Sequence, residues 1–479
     1  MSLTFNEGKM QIKFGTSGWR AVIADEFTFE NVILVTQAIC DLLKKDKETS
    51  QGIIISNDTR FLGEEFKKIA AQVVASNGIK VYLTERDTPT PVVAFEILRR
   101  KLNGGISFTA SHNPPKYQGL KFFGAHGGSA FTKDTQWIES RIKSKKVKVT
   151  KLQNFETLVE KKKIEFINPR RNYLNYLGDI IDIRAISRSK LKIAYDAMYG
   201  TGRDYLDTFL IECGCDVRTL HHQADPNFGG ITPEPTAENL VELSQIVANE
   251  KHFFGVATDG DADRFGLIDK DGSFFDANYF LPVLLKYILE TRPNWSGSAV
   301  RSLATSHLFD MVAFRNKIRV HETPVGFKYI SEIMTREEVI LAGEESGGLT
   351  FYKHVPEKDG IAACLLAIEI VAKTGMSLSE HLDEIYREYG QRVNLKEKLV
   401  LDEKLKAKLE KVLKGEPLKK LLGKKIIKTD VRDGLKMINT DGDWLLIRVS
   451  GTEPIVRLYA EARTRENAEK ILQEGRSLV

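Results

Sequence analysis

Ile53-Ile54-Ile55 opens a stretch that runs through the polar turn Asn57-Asp58-Thr59 to Asn77-Gly78 and closes on Ile79-Lys80-Val81-Tyr82-Leu83. The first run is a short β-branched segment of the kind buried on both faces of a sheet. Between the two runs Phe66, Ile69, Ala70 and Val73 recur at helical spacing, so they share one face of a helix that stops at Asn77-Gly78. Strand, helix and strand at this spacing predict a parallel βαβ unit.

The same order of signals returns twice. Leu191-Lys192-Ile193-Ala194-Tyr195 opens a second unit and ends in the turn Tyr199-Gly200-Thr201-Gly202, and Ala299-Val300-Arg301-Ser302-Leu303-Ala304 opens a third. Each unit also holds a later apolar strand that empties into a polar loop. Ile106-Ser107-Phe108 leads to Thr109-Ala110-Ser111-His112-Asn113, and Phe254-Gly255-Val256-Ala257 leads to Asp259-Gly260-Asp261-Ala262-Asp263. Val339-Ile340-Leu341-Ala342 leads to Gly343-Glu344-Glu345-Ser346-Gly347-Gly348. Ligands of open α/β sheets bind outside the carboxyl ends of strands, so three such loops are placed to share one cleft. The lysine-rich stretch Lys143–Lys163 reads as the connection between the first two units. From Gln391 the pattern changes. A lysine-rich helix over Glu403–Lys414 precedes close strands at Ile426–Thr429, Leu435–Asn439, Trp444–Val449 and Val456–Ala462, which predict an antiparallel sheet in a separate α+β domain.

A chain of 479 residues is too long for one core, and about three or four domains is the expectation. The net charge of +5, from 70 basic and 65 acidic residues, is too balanced for a nucleic-acid binder, although a locally positive cleft for an anion remains open. Cys40, Cys213, Cys215 and Cys364 match no four-cysteine zinc spacing, and Cys213-Gly214-Cys215 is too tight for an ordinary disulfide. The N-terminus lacks a basic region followed by an apolar stretch, and no run of about 18 apolar residues argues for a membrane span. A reducing cytoplasm is the expected location.

Asp259-Gly260-Asp261-Ala262-Asp263-Arg264 is the most informative loop. Carboxylates on alternate residues repel one another unless a cation sits among them, and oxygen-only ligands suit Mg²⁺ before Zn²⁺. A solvated acidic turn is the bland alternative. An EF-hand fails, because Arg264 and Lys270 stand where that loop needs Gly and Glu. Thr109-Ala110-Ser111-His112-Asn113-Pro114-Pro115 sets a serine in a turn stiffened by two prolines, with His112 and Asn113 as hydrogen-bonding neighbours. Alone it fits a polar turn equally well. Lys121 is a candidate proton-transfer group or simply a surface lysine. Gly343–Gly348 offers carboxylates, a hydroxyl and bare amides of the kind that suit sugar hydroxyls. Arg448-Val449-Ser450-Gly451-Thr452-Glu453-Pro454, with Arg457 nearby, fits a phosphate cradle. A plain polar turn is an even alternative for each. No P-loop occurs, and no Gly-x-Gly-x-x-Gly follows a strand.

Gly15-Thr16-Ser17-Gly18-Trp19-Arg20, Thr109–Pro115, Asp259–Arg264, Gly343–Gly348 and Arg448–Pro454 stand in the order of the α-D-phosphohexomutase family. The chain resembles that family over nearly its whole length, most of all its phosphoglucomutase/phosphomannomutase branch. The resemblance implies an α/β protein: three similar α/β domains with mixed sheets plus a C-terminal α+β domain, around a central active-site cleft. The corresponding domains are 1–152 with the phosphoserine loop, 153–275 with the metal loop, 276–390 with the sugar loop and 391–479 with the phosphate loop. It implies interconversion of hexose 1-phosphate and hexose 6-phosphate, glucose first, through phosphorylated Ser111 and a hexose 1,6-bisphosphate that also serves to phosphorylate Ser111. One Mg²⁺ would be held by Asp259, Asp261, Asp263 and a phosphate oxygen on Ser111. Arg20 and Arg264 would contact the transferring phosphate, with Lys121 as general acid/base and His112 beside the serine. Glu344 and Ser346 would hold sugar hydroxyls. Arg448, Ser450, Gly451 and Thr452, with Arg457, would hold the other phosphate, and Lys328 lies in the segment that helps choose the sugar. Sugar phosphates are the implied partners, with no nucleic acid or membrane, for a monomer or homodimer.

Some residues depart from the pattern. Dual-specificity phosphomannomutases typically read Gly-Glu-Met-Ser-Gly-His in the sugar loop, and the phosphoglucosamine type has Gln where Glu345 stands; Glu345 and Gly348 therefore favour glucose. Ala262 replaces a common Gly, and its small methyl leaves coordination possible. Phosphomannomutase, phosphoglucosamine mutase and phosphopentomutase are the rivals within the family. A metal-dependent sugar-phosphate phosphatase and a non-catalytic sensor are the rivals outside it; a sensor has no need of both Ser111 and Lys121.

Overall fold

The computed structural model describes residues 12–250, 254–401, 408, 418–449 and 455–479. The helix expected over Glu403–Lys414 lies outside the described residues but for Lys408. Four sheets organise the described residues. The first contains β1 (Phe14–Gly15), β2 (Gly18–Val22), β3 (Ile53–Asn57), β4 (Val81–Thr84), β5 (Gly104–Phe108), β6 (Tyr117–Gly124) and β7 (Ile164–Ile167), in the order β1-β2-β6-β5-β3-β4-β7. The second contains β8 (Lys192–Asp196), β9 (Asp216–Leu220), β10 (Phe254–Thr258), β11 (Phe265–Ile268) and β12 (Phe274–Phe275), ordered β12-β11-β10-β8-β9. The third contains β13 (Ser298–Ser302), β14 (Val320–Thr323), β15 (Val339–Glu344) and β16 (Gly348–Phe351), ordered β14-β13-β15-β16.

One four-strand pattern recurs in all three. β4-β3-β5-β6, β9-β8-β10-β11 and β14-β13-β15-β16 each place three parallel strands beside one antiparallel strand. The parallel βαβ grammar is present, and the last strand of each pattern makes the sheet mixed. Each chemistry-bearing loop joins the inner parallel strand to its antiparallel neighbour: 109–116 between β5 and β6, 259–264 between β10 and β11, 345–347 between β15 and β16. The three loops therefore occupy equivalent places, at the carboxyl ends of parallel strands.

Local sequence explains the framework. Ile53, Ile54 and Ile55 are all fully buried, as a strand covered on both faces requires. The following helix, Gly63–Ser76, buries Phe66, Ala70, Ala71, Val73 and Val74 and ends where Gly78 turns the chain at φ 81°. Each large apolar side chain so buried contributes about 1.5–3 kcal/mol.

The expected start of the second unit at 153 needs correction. Helix Phe155–Glu160, capped by Asn154, leads into β7, which pairs in parallel with β4 of the first sheet. Leu158 and Ile164 are buried in the first core, so this segment completes the first unit rather than opening the second. Burial of an extra sheet edge is the reason: β7 covers the hydrogen-bonding groups of β4. The second and third sheets share one continuous apolar core. Helix Gly360–Thr374 makes that join, packing on β10 and β11 as well as β16.

The fourth sheet contains β17 (Val393–Val400), β18 (Lys420–Leu421), β19 (Lys424–Asp430), β20 (Leu435–Asn439), β21 (Trp444–Val449) and β22 (Ile455–Ala462), ordered β17-β22-β21-β20-β19-β18. Every pairing in it is antiparallel. Helix Arg465–Leu478 packs on β17, β21 and β22 and closes a separate core. The four cysteines are free and buried, and among the described residues no single helix is long and apolar enough to cross a membrane.

Candidate active site

Ser111 is fully buried and holds a left-handed backbone conformation at φ 51°. A non-glycine residue pays about 1–2 kcal/mol for that conformation, so the surroundings must impose it. They do so through Arg60. Its Nη2 donates to the carbonyl oxygens of Ser111 (2.6 Å) and Asn113 (2.5 Å), its Nη1 to those of Pro114 (2.9 Å) and Tyr117 (3.0 Å), and its Nε to Asp58 Oδ2 (3.2 Å). The guanidinium also lies over the Phe228 ring, 4.9 Å from its centroid. The Ser111 N–H donates to Thr109 Oγ1 at 2.8 Å, which closes the turn from within.

The serine hydroxyl meets the acidic loop. Ser111 Oγ donates to Asp259 Oδ2 at 3.0 Å. The two loops pack through Gly260, where a Cβ would stand 3.1 Å from the Ser111 carbonyl oxygen. Asp259, Asp261 and Asp263 are all buried and present oxygens within 4.8 Å of one another. Asp259 Oδ1 accepts from the backbone N–H groups of Asp263 and Arg264 at 2.9 and 3.0 Å, which folds the loop around that carboxylate. Ala262 takes φ 56°, which explains why glycine suits the position, and its methyl is buried in the apolar core.

Two lysines relieve the repulsion among these carboxylates. Lys121 Nζ donates to Asp261 Oδ2 at 2.6 Å and to Asp263 Oδ2 at 2.7 Å, and Lys358 Nζ lies 2.9 Å from Asp263 Oδ2. Thr90 Oγ1 adds a bond to Asp261 Oδ2 at 2.6 Å. The opposite oxygens, Asp261 Oδ1 and Asp263 Oδ1, are buried and have no hydrogen-bond partner among the described residues. Buried carboxylate oxygens without partners cost free energy unless a cation or donor meets them. This all-oxygen trio therefore fits a hard divalent ion such as Mg²⁺. Burial and the charges of Asp261 and Asp263 push the Asp259 carboxyl well above its usual range. Burial pulls the Lys121 ammonium down, but Asp261 and Asp263 outweigh it and hold its proton more tightly than usual.

Cations gather around this point. Arg20 Nη1 donates to Asn113 Oδ1 at 2.6 Å, and Arg264 Nη1 to Glu234 Oε1 at 2.7 Å, while Arg264 Nε is buried without a hydrogen bond among the described residues. His112 Nδ1 lies 3.4 Å from Ser111 Oγ. Burial, then Arg264, Arg20, Lys358 and Arg457, push the His112 imidazole well below its ordinary value, so it is neutral in this positive field. Such a field attracts an anion.

The sugar-type loop joins the same cleft. Gly347 accepts from the Phe265 N–H at 2.9 Å, directly after the acidic loop. Glu344 is buried, and its Oε1 accepts from the Gly326 N–H at 2.7 Å. Burial and neighbouring Glu345 push the Glu344 carboxyl up to about 7. Glu345 turns elsewhere, accepting from Ser302 Oγ at 2.9 Å, and Ser346 is half-buried. Lys328 is half-buried with its ammonium over the Tyr329 ring. Arg448 and Arg457 stand directly opposite each other on β21 and β22, so both side chains share one face. Ser450, Gly451 and Thr452 lie outside the described residues.

Sequence reasoning missed Arg60, Thr90 and Lys358. The signal for Lys358 is the charged run Glu357-Lys358-Asp359 just before an apolar helix, which Asp359 caps by accepting from the Ala362 N–H. Arg60 stands one residue beyond a turn that was recognised.

Sequence models of the phosphoglucomutase/phosphomannomutase domains match in order: alpha/beta/alpha domain I over 11–148, domain II over 171–272, domain III over 276–389 and the C-terminal domain over 392–477. A phosphoglucomutase/phosphomannomutase of Thermococcus kodakarensis is 32% identical, covering 97% of this chain and 98% of its own. A phosphoglucosamine/phosphogalactosamine mutase of Sulfurisphaera tokodaii is 29% identical over 97% of this chain and 98% of its own. Among solved structures, a putative phosphomannomutase from Thermus thermophilus is 32% identical, with a TM-score of 0.82 over 98% of this chain and 99% of the other.

Proposed function

The chain belongs to the phosphoglucomutase/phosphomannomutase family, and from that premise we propose that it interconverts glucose 1-phosphate and glucose 6-phosphate through a phosphorylated Ser111. As a phosphohexomutase it is an isomerase that moves a phosphoryl group within a sugar phosphate. The observation that carries the reading is the meeting of Ser111 Oγ with Asp259 Oδ2 at 3.0 Å, beside two carboxylate oxygens left without partners.

In this reading phosphorylated Ser111 gives its phosphoryl group to a free hydroxyl of the bound sugar monophosphate. The bond from phosphorus to Ser111 Oγ breaks as the bond to the sugar oxygen forms, and the hydroxyl proton ends on Oγ. Lys121 would relay that proton once its ion pairs with Asp261 and Asp263 loosen. The product is a hexose 1,6-bisphosphate. After the sugar turns over, its other phosphoryl group returns to Ser111 and the proton moves the opposite way. A bisphosphate arriving from solution would phosphorylate Ser111 by the same step.

Asp259, Asp261 and Asp263, with an oxygen of the phosphate on Ser111, would hold one Mg²⁺. When bound, that ion draws off negative charge from the group in transfer. Arg20 and Arg264 would hold the remaining phosphate oxygens, and His112, kept neutral, would offer a hydrogen bond beside Oγ. Glu344 and Ser346 would take sugar hydroxyls, and Lys328 would help choose the sugar. Arg448 and Arg457, with Ser450, Gly451 and Thr452, would grip the phosphate that does not react. A cytoplasmic location accords with four free cysteines.

Glucose is preferred over mannose and glucosamine on the residues at Glu345 and Gly348. The stem of Lys358 fills the space beside Gly348: a Cβ there would lie 2.2 Å from Lys358 Cδ, so the histidine of dual-specificity relatives would require that stem to move. Intact mass spectrometry tests the mechanism. A phosphate on Ser111 that disappears on incubation with excess glucose 1-phosphate is the expected result, and a fully active Ser111→Ala variant would overturn it. Turnover of glucose, mannose and glucosamine 1-phosphates side by side tests the sugar.

A further inference from the structure

One carboxylate oxygen ties the fourth sheet to the third. Asp433 lies in the turn between β19 and β20, and its Oδ2 accepts from Arg448 Nε at 2.7 Å and from the Val325 N–H at 2.9 Å. Val325 adjoins Gly326, whose N–H donates to Glu344 Oε1 at 2.7 Å. Gly326 has φ 133°, a conformation that side chains rarely adopt, and a Cβ there would approach Thr16 Cγ2 to 3.0 Å. The segment is therefore pinned on both sides. A continuous path runs from Arg448 through Asp433 and Val325-Gly326 to Glu344.

The geometry of the pair argues for orientation rather than stability. The Asp433 side chain is 23% exposed, so its ion pair is partly screened and contributes little to folding. A guanidinium is planar, however, and fixing Nε fixes the plane in which its other two nitrogens lie. Arg457 stands directly across from Arg448 on the same face of the sheet, which adds positive charge there. Asp433 offsets that charge on the Arg448 side and aims the fork.

We propose that Asp433 is a positioning residue that presents Arg448 to the non-reacting phosphate and couples that grip to the sugar-facing segment. The proposal rests on the reading of Arg448 as a phosphate contact. Loosening Asp433 then weakens phosphate capture and, through Val325-Gly326, shifts Glu344 and the choice of sugar.

The test is a double-mutant cycle read by steady-state kinetics with glucose 1-phosphate and mannose 1-phosphate on the full chain. Asp433→Ala is expected to raise KM for glucose 1-phosphate about tenfold, the scale of one charge-assisted hydrogen bond, with kcat within a few-fold. The ratio of kcat/KM between the two sugars is expected to change. Combined with Arg448→Ala, it is expected to add no further rise in KM beyond Arg448→Ala alone. If Tm drops in Asp433→Ala, Asp433→Asn carries the test: it keeps an acceptor for Val325 but not the charge facing Arg448, and a severalfold rise in KM at unchanged Tm is expected. Full additivity in the cycle, or an unchanged KM in Asp433→Asn, overturns the proposal while a raised KM in Arg448→Ala leaves the phosphate reading standing. An unchanged KM in Arg448→Ala itself overturns that reading, and this proposal with it.

Discussion

Arg60 Nη2 donates to the carbonyl oxygen of Ser111 at 2.6 Å, and the same guanidinium spends its remaining donors on Asn113, Pro114, Tyr117 and Asp58. The serine proposed to carry the phosphoryl group is thus held in its left-handed conformation by an arginine whose donors are all spent on the protein itself. A lysine at this position keeps the charge but places its three donors at a single point, and cannot span four carbonyls. Arg60→Lys is expected to lose about 2–4 kcal/mol of stability and to reduce kcat by about a hundredfold, since several buried carbonyls lose their donor together. Thermal unfolding and single-turnover transfer from phosphorylated Ser111 measure the two effects. Wild-type transfer at a lowered Tm would separate the clamp from the chemistry.

The unpartnered oxygens of Asp261 and Asp263 give a second expectation, one that needs no turnover. A divalent ion that binds the folded chain stabilises it, by about 2.7 kcal/mol at a hundred times its Kd, and so raises Tm with concentration. Mg²⁺ is expected to raise Tm in the intact protein, and a chelator to reverse the shift and abolish activity. In Asp261→Ala the shift should vanish at concentrations that saturate the parent, because one oxygen donor is gone and Lys121 loses a partner. An unchanged Mg²⁺ response in that variant would remove Asp261 from the ligand set.

Much of this arrangement was legible in residues alone, for identifiable reasons. Ile53–Ile55 and the helix through Phe66 and Val73 are strong periodic signals, and the three loops announce themselves by following apolar strands. What could not be read is anything set by distant packing. The strand at Ile164–Ile167 carries only four residues, two of them exposed, and joins the first sheet because an edge was open there. Arg60 and Lys358 look like ordinary charged residues in sequence, and only burial against Ser111 and Asp263 distinguishes them. The acidic loop was expected to need a cation, and two ammonium groups already answer part of that need.

Glu344 gives a pH expectation. Its carboxyl is pushed up to about 7 by burial and by Glu345, against an ordinary value of 4.5. The folded state therefore holds this proton more tightly than the unfolded chain, so Glu344 favours folding at low pH and that contribution is lost as pH rises from about 4.5 through 7. Activity runs the other way if the ionised form accepts sugar hydroxyls. The kcat/KM profile should rise between about pH 6 and 8, and Glu344→Gln should flatten that limb while lowering its plateau. Because a sugar phosphate also titrates near pH 6, the comparison of the two profiles, rather than either one, decides the assignment.

Gly348 and Lys358 give the sharpest steric test. A Cβ on residue 348 would stand 2.2 Å from Lys358 Cδ and 2.7 Å from Cγ, and the backbone at Lys358 is fixed because Asp359 caps the next helix. Gly348→Ala must then displace the lysine stem, at an overpacking cost of about 1–3 kcal/mol. The displaced ammonium leaves Asp263, which it meets at 2.9 Å, so the acidic loop loses one of its two lysines. Both Tm and kcat are expected to fall. Adding Lys358→Ala to Gly348→Ala should restore Tm by removing the clash, yet leave kcat low because the charge beside Asp263 is still missing. Full activity in the double variant would show that Lys358 matters only as filling, and a Gly348→Ala variant that unfolds and turns over like the parent would show that the stem has room to move. Gly348→His, the residue of dual-specificity relatives, should fail alone for the same steric reason, and mannose 1-phosphate turnover measured in Gly348→His/Lys358→Ala tells whether this pair sets the sugar.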